Sequence, residues 1–308
     1  MTRRRELEQH RQTLAETREI LSSMKTLAYM ETRKLDRGLD AKRGLVSRIK
    51  AVAADFLGFY PALVVQPRVS KRVYLVVGSE RAFCGDFNQR LLEEWAAIAA
   101  QATEEAAQGV AAGRKLIAHL QSDPLFDSVV QGASVAEEID RTLATIIESL
   151  AKLQRREGVL GLTVLYNDPE VDRVVLSEIL PPFSEFEAAG PLFFDPPLLN
   201  LSPRSFFDEL VSHYLFARLH MVLYASLLAE NLQRVRHLEG ALQHLEKREA
   251  ELQRRSNTLR QEEIIEEIEV ILLSTASLIG VDPVSPDARD RPKAETIGRP
   301  GAHSSNGR

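Results

Sequence analysis

Cys84 is the only cysteine in this 308-residue chain, and it lies in RAFCGDFN, residues 81–88. The run VYLVVGS before it has the pattern of a buried strand, and a helical pattern follows. A strand that turns through glycine into a helix can expose a nucleophile or cradle a phosphate on backbone N–H groups. A nucleophilic Cys84 would need a lowered pKa and a base, for which His119 on the next expected strand is the candidate. No family spacing of Cys and His is visible for that pair. A phosphate loop would need more glycine, and neither G-x-x-x-x-G-K-[ST] nor G-x-G-x-x-G follows any expected strand. Asp86 would also repel a phosphate at the helix start.

The elements that must hold this turn fall into three segments. From about residue 3 to 58 the chain reads as one helix, stopped by Gly58 and Pro61. Leu7, Leu14, Leu21, Ala28 and Leu35 form an apolar seven-residue ladder, while His10, Thr17, Met24, Glu31 and Gly38 form a mixed one. The middle alternates expected strands at 73–77, 115–120, 160–166 and 174–180 with helices near 86–108 and 134–156. That alternation predicts a small, mainly parallel sheet with helices on its faces. The stretch 181–204, rich in Pro and Phe, reads as an extended linker along the surface. From 205 to 278 the helical pattern returns without a proline, over about 110 Å. Leu238, Leu245, Leu252 and Leu259 again recur every seven residues. The tail from Gly280, rich in Pro, Gly, Asp and Arg, is expected to be disordered.

Each long helix has one good apolar ladder and one poor one, so each needs a partner face. The first fifty residues hold thirteen Lys/Arg against seven Asp/Glu, whereas the last helix is acidic across 239–269. Complementary charge at opposite ends of the chain predicts an antiparallel two-helix coiled coil projecting from the α/β domain. The expected domains are 1–60, 61–204 and 205–279, followed by the tail 280–308. Ile264, Ile265, Ile268, Val270, Ile271, Leu272 and Leu273 make the end of the last helix apolar on most sides. Such a helix must be enclosed, which points to a sleeve of partner chains. An aggregation-prone surface or a dimer seam is the plainer alternative.

A single cysteine rules out an internal disulfide framework and a Cys-based zinc cluster. No apolar run approaches the roughly 20 residues that cross a bilayer. MTRRRELEQH lacks the apolar core of a signal peptide, so a soluble cytoplasmic protein is expected. The basic first arm could serve nucleic-acid binding or a scaffold, but the acidic helix would neutralise much of it.

This order of segments resembles the gamma subunit of F-type ATP synthases, and local runs match in the same order over about residues 5 to 279. ILSSMKTLAYMETRK at 20–34 resembles ITKAMEMVAASKMRK, sharing Ile20, Met24, Ala28, Arg33 and Lys34. ERAFCGDFN resembles DRGLCGGLN, sharing Arg81, Cys84, Gly85 and Asn88. NTLRQEEIIEEIEVI at 257–271 resembles NKARQAAITQELTEI, sharing Asn257, Arg260, Gln261, Ile264, Glu267 and Ile271. Glu230 and Arg234 fall on the family's SExxxRM pattern. Glu31 replaces a lysine of that family, Ile265 a hydroxyl residue, and Ala82 and Asp86 two glycines. These departures suggest a divergent branch, for which the often sodium-linked second ATPase of some bacteria is a candidate.

The resemblance implies a rotor without catalytic residues, cofactor or metal. Its coiled coil would stand inside an alpha/beta hexamer, and its α/β domain would ride on the c-ring with epsilon. The complex would lie at the cytoplasmic face of the bacterial inner membrane, with no direct insertion of this chain and no nucleic acid. Arg260 and Gln261 match a polar contact to a beta-subunit loop, and Arg33 and Lys34 match basic residues facing an acidic beta-subunit segment. Met24 belongs with these contacts, and Ile264, Ile268, Ile271 and Leu272 with an apolar bearing tip. RAFCGDFN then reads as a structural turn. Gly85 serves the tight exit, Asp86 the positive helix end, Asn88 the same turn, and Cys84 is a small buried side chain. Arg81 is expected to reach the shaft or the ring.

Overall fold

The computed structural model describes residues 2–63, 71–101, 107–120, 125–158, 160–183 and 196–279. Helix α1 (Thr2–Phe59) ends just before a 3-10 turn at Pro61–Leu63, where proline cannot continue the hydrogen-bond ladder. Then come β1 (Lys71–Val77), α2 (Phe87–Gln101), β2 (Ala107–Ala112), α3 (Arg114–Leu120) and β3 (Phe126–Val130). They are followed by α4 (Ile139–Glu157), β4 (Leu160–Asp168), β5 (Arg173–Leu180) and α5 (Pro203–Ile279). At 77 residues α5 is about 115 Å long. It begins two residues earlier than its periodicity suggests. Pro203 suits the first helical position, and Ser202 Oγ accepts the Ser205 N–H at 3.2 Å.

The five strands lie in the order β3-β2-β1-β4-β5. All neighbours are parallel except β5, which runs antiparallel to β4. The apolar run of β4 is buried nearly throughout, as parallel strands covered on both faces require. Val73, Leu75 and Val77 of β1 point to one face, where they join α4 residues Ile139, Leu143 and Ile146 and the shaft residues Leu35, Leu39, Leu219 and Val222. Val76 points to the other, beneath Phe87, Leu91 and Trp95 of α2 and Leu116 of α3. The two long helices are therefore a layer of the domain itself. They do not merely emerge from it.

Beyond the sheet, α1 and α5 continue as an antiparallel pair. Arg4 faces Glu263, Arg18 faces Glu249 and Lys25 faces Glu239, at 3.3, 3.8 and 3.7 Å. Ala28, Leu35, Leu39 and Val46 of α1 are buried, as are Leu238, Leu242 and Leu252 of α5. Higher up, Leu7, Leu14, Leu21, Leu245 and Leu259 are only half-buried, so the seam is narrow.

The expected strand at 115–120 is helix α3. Leu116 and Leu120, one turn apart, bury the same face, and short apolar runs do not separate helix from strand. The strand is β2 instead, whose sequence AQGVAA carries almost no β signal. The helix expected to reach 108 accordingly ends at Gln101. Strand β3, FDSVV, lies outside the expected strands. Within the expected linker, 196–202 is irregular, whereas 184–195 and the tail expected to be disordered, 280–308, lie outside the described residues.

Candidate functional site: the collar between sheet and shaft

RAFCGDFN leaves β1 and returns as α2, and its position is set from α5. Glu230 is buried on α5 and accepts the backbone N–H groups of Glu80 and Arg81, each at 3.2 Å. Arg234, one turn on, ion-pairs with Glu230 and donates from Nε to the Ala82 carbonyl at 3.2 Å. Burial pushes the Glu230 carboxyl above its ordinary value, and the Arg234 guanidinium acts against it. The N–H groups that a phosphate would use after a β1 strand are thus taken by a carboxylate of the shaft.

A second buried carboxylate ties the strand ends together. Glu80 accepts the N–H groups of Arg114 and Gly132, both at 2.9 Å, and pairs with the Arg114 guanidinium. These contacts join the exits of β1, β2 and β3. Asn88 completes the turn: its Oδ1 accepts the Ser79 N–H and its Nδ2 donates to Ser79 Oγ, both at 2.9 Å. Gly85 has a φ of 57°, in the region where glycine carries no Cβ penalty. Asp86 accepts from Arg90 of α2 and from Gln233 of α5, both at 2.8 Å, which holds its carboxyl below the usual range. Near it, Asp172 of the β4–β5 turn binds the Arg236 guanidinium through both oxygens.

Cys84 is buried among these groups. Desolvation, then the Glu230 charge, pushes its thiol up to about 12, against the pull of Arg234. Its hydrogen-bond partners are the Arg81 and Ala82 carbonyls, Glu230 and Arg234. His119 stands exposed on α3. A protonated thiol with such neighbours does not have the surroundings of a nucleophile. The Arg81 side chain is exposed and lines a groove of about 380 Å3 with Phe83, Lys115, Met24, Leu27 and Ala28. Met24 and the turn therefore meet across one groove.

The other candidates lie apart along the shaft. Arg33 is exposed and donates to Tyr29 Oη at 3.0 and 2.8 Å. Lys34 pairs with Glu137, just before α4. Arg260 and Gln261 are exposed on α5 far up the seam. Ile264, Ile268, Ile271 and Leu272 are 46, 49, 62 and 63% exposed, so nothing in this chain encloses them among the described residues. Sequence reasoning missed Glu80 and the enclosure of α5 over 219–231, where all residues but Tyr224 are buried. The available signal was an acid and a base one turn apart, Glu230 and Arg234, in an otherwise apolar helix. Among the described residues no cluster of three His, Cys, Asp or Glu could hold a metal, and no helix is long and apolar enough to cross a membrane.

A shaft made from both ends of the chain, gripped by an α/β domain and rich in exposed apolar residues at its free end, defines a stalk subunit. The family model described as ATP synthase matches residues 3–278. The ATP synthase gamma chain of Chlorobaculum parvum is 26% identical over 282 residues, covering 85% of this chain and 94% of that one. That of Cutibacterium acnes is 24% identical over 304 residues, covering 89% and 96%. In solved structures the fold matches a chain of the Euglena gracilis mitochondrial ATP synthase, with a TM-score of 0.61 at 13% identity. That match covers 94% of this chain and 99% of the other. A chain of the Tetrahymena thermophila central stalk and c-ring assembly matches with a TM-score of 0.53 at 15% identity, covering 72% and 99%. The chain belongs to the ATP synthase family, as a gamma subunit of the central stalk.

Proposed function

We propose that this gamma subunit turns inside an alpha/beta hexamer and couples ion-driven rotation of a c-ring to nucleotide affinity in the beta subunits. The α/β domain rides on the c-ring together with epsilon, at the cytoplasmic face of the bacterial inner membrane. Nucleotide chemistry belongs to the partner subunits, and this chain contributes shape.

The carrying observation is the exposed apolar end of α5, around Ile264, Ile268, Ile271 and Leu272, on a shaft whose base is anchored in the sheet. Seven of the ten residues 264–273 are apolar, with exposed Glu266, Glu267 and Glu269 between them, and an apolar contact with a sleeve has no ion pair to break at each step. Arg260 and Gln261, just before it, supply the polar contact to a beta-subunit loop. Arg33 and Met24 face the hexamer lower down, with Lys34 beside them. A shaft half apolar and half charged presents different faces to three beta subunits in turn.

The test is co-purification. Tagged full-length chain expressed with the alpha, beta and epsilon subunits of the same organism recovers alpha and beta subunits and ATPase activity. Recovery of neither, with the chain folded, would leave a coiled-coil scaffold outside an ATPase as the reading.

A further inference from the structure

The start of α4 is the least expected contact on the shaft. A helix start leaves backbone N–H groups without partners, which a side chain at the cap position ordinarily satisfies. Here the residue before the 3-10 turn Ala136–Glu138 is Val135, which offers no such bond. The acceptor comes from another element: Glu31 Oε1 of α1 takes the Ala136 N–H at 2.7 Å. One turn further along α1, Lys34 pairs with Glu137. On the other side, Asp140 Oδ1 lies 3.1 Å from His220 Nε2 of α5. Ala136 and Ile139 are buried in the same core as Leu35 and Leu39 of α1.

Residues 136–140 are thus wedged between both long helices. At the same level Gly38 of α1 faces Tyr224 of α5, and a Cβ there would come within 2.7 Å of the Tyr224 ring. Lys42 lies over that ring, 5.4 Å from its centre.

We propose that residues 134–140 are a third strut of the shaft, and that Glu31 is a positioning residue which fixes the sheet domain to α1 for the transmission of rotation. This rests on the gamma-subunit reading. Glu31 stands where the resembled signature has lysine, and lysine has only donors, so it cannot accept the Ala136 N–H. This acceptor is accordingly a departure from the resembled signature. The strut also engages Lys34 internally, while Arg33, stacked on Tyr29 at 5.2 Å, stays outward.

Two measurements test it. In the full-length chain, hydrogen exchange of the peptide covering 134–140 is compared among wild type, Glu31→Gln, Glu31→Ala and Glu31→Lys. The glutamine keeps an acceptor and retains protection within about threefold, whereas Glu31→Ala and Glu31→Lys lose about tenfold or more. In the assembled complex, Glu31→Lys lowers ion transport per ATP hydrolysed while hydrolysis persists, and Glu31→Gln restores the ratio. Unchanged exchange in all variants overturns the strut. Lost protection with an unchanged transport ratio overturns the positioning role. Failure to recover alpha and beta subunits overturns the gamma-subunit reading instead, and the exchange comparison is independent of it.

Discussion

Glu230 and Arg234, an ion pair one turn apart on α5 with both members buried, reach across to residues 80–84 and hold the loop after β1. Sheet and shaft meet at this pair. Removing Arg234 leaves Glu230 buried without its counter-charge and costs the loop its bond to the Ala82 carbonyl. Arg234→Ala is therefore expected to destabilise the full chain by about 3–5 kcal/mol in urea unfolding. Replacing both residues by apolar ones of similar volume should cost less than the two single changes summed.

The same surroundings make Cys84 unreactive. Its thiol, pushed up to about 12, stays protonated at pH 8. A thiol reagent should label it only as the chain unfolds, with a rate that follows denaturant. Rapid labelling of the native chain at pH 8 would contradict this. Cys84→Ser should leave ATPase activity of the assembled complex unchanged.

Along the seam, packing outweighs charge. Leu238 has no exposure, and Leu238→Ala should cost about 2–5 kcal/mol. Arg18 and Glu249 are 46 and 30% exposed at the side chain, so Arg18→Ala should cost no more than about 1 kcal/mol, and less at high salt. Equal losses would mean that ion pairs hold the helices together.

Ile268 separates stability from assembly. It is half-exposed in this chain, so Ile268→Asp should shift unfolding by no more than about 0.5 kcal/mol. Recovery of alpha and beta subunits with the tagged variant should fall, because an apolar sleeve would have to take up a carboxylate. Undiminished recovery would remove the bearing from Ile268.

His220 gives the chain a pH dependence. Burial first, then the nearby Lys42, holds its pKa below 6.5, and Asp140 opposes them. The folded protein keeps the ring neutral while the unfolded chain takes up the proton. This contribution is complete above pH 6.5 and is lost as pH falls from there toward the depressed folded value. Stability of the wild type should decline through that window, and His220→Phe should flatten the decline.

The parts of this structure that were legible in the sequence are those with long periodicity. Leu7, Leu14 and Leu21 repeat often enough to announce a helix, and the opposite charges of the two ends announce their pairing. Strand β2 was not legible, because small residues suit a strand squeezed between others and carry no propensity of their own. The collar was half legible. RAFCGDFN could be recognised as a turn, but its partners Glu230 and Arg234 lie about 150 residues away. Pairing over such a distance is a tertiary fact, and only the oddity of an acid and a base in an apolar helix hinted at it. Glu31 was visible as a departure from the resembled pattern, whereas its acceptor role required the placement of Ala136.

The contact of Arg4 with Glu263 spans 259 residues. During synthesis α1 leaves the ribosome long before its partner exists, and its apolar ladder has no seam to enter. The sheet between them has far shorter closures, which cost less chain entropy and can form first. Once β1 and β4 are paired, β4 offers the surface on which α5 packs, and Leu35, Leu39 and Phe56 of α1 enter the same core alongside it. Closure of the shaft from the collar outward is the order that these chain entropies favour. On that order the sheet domain is the template on which the two ends of the chain are wound together.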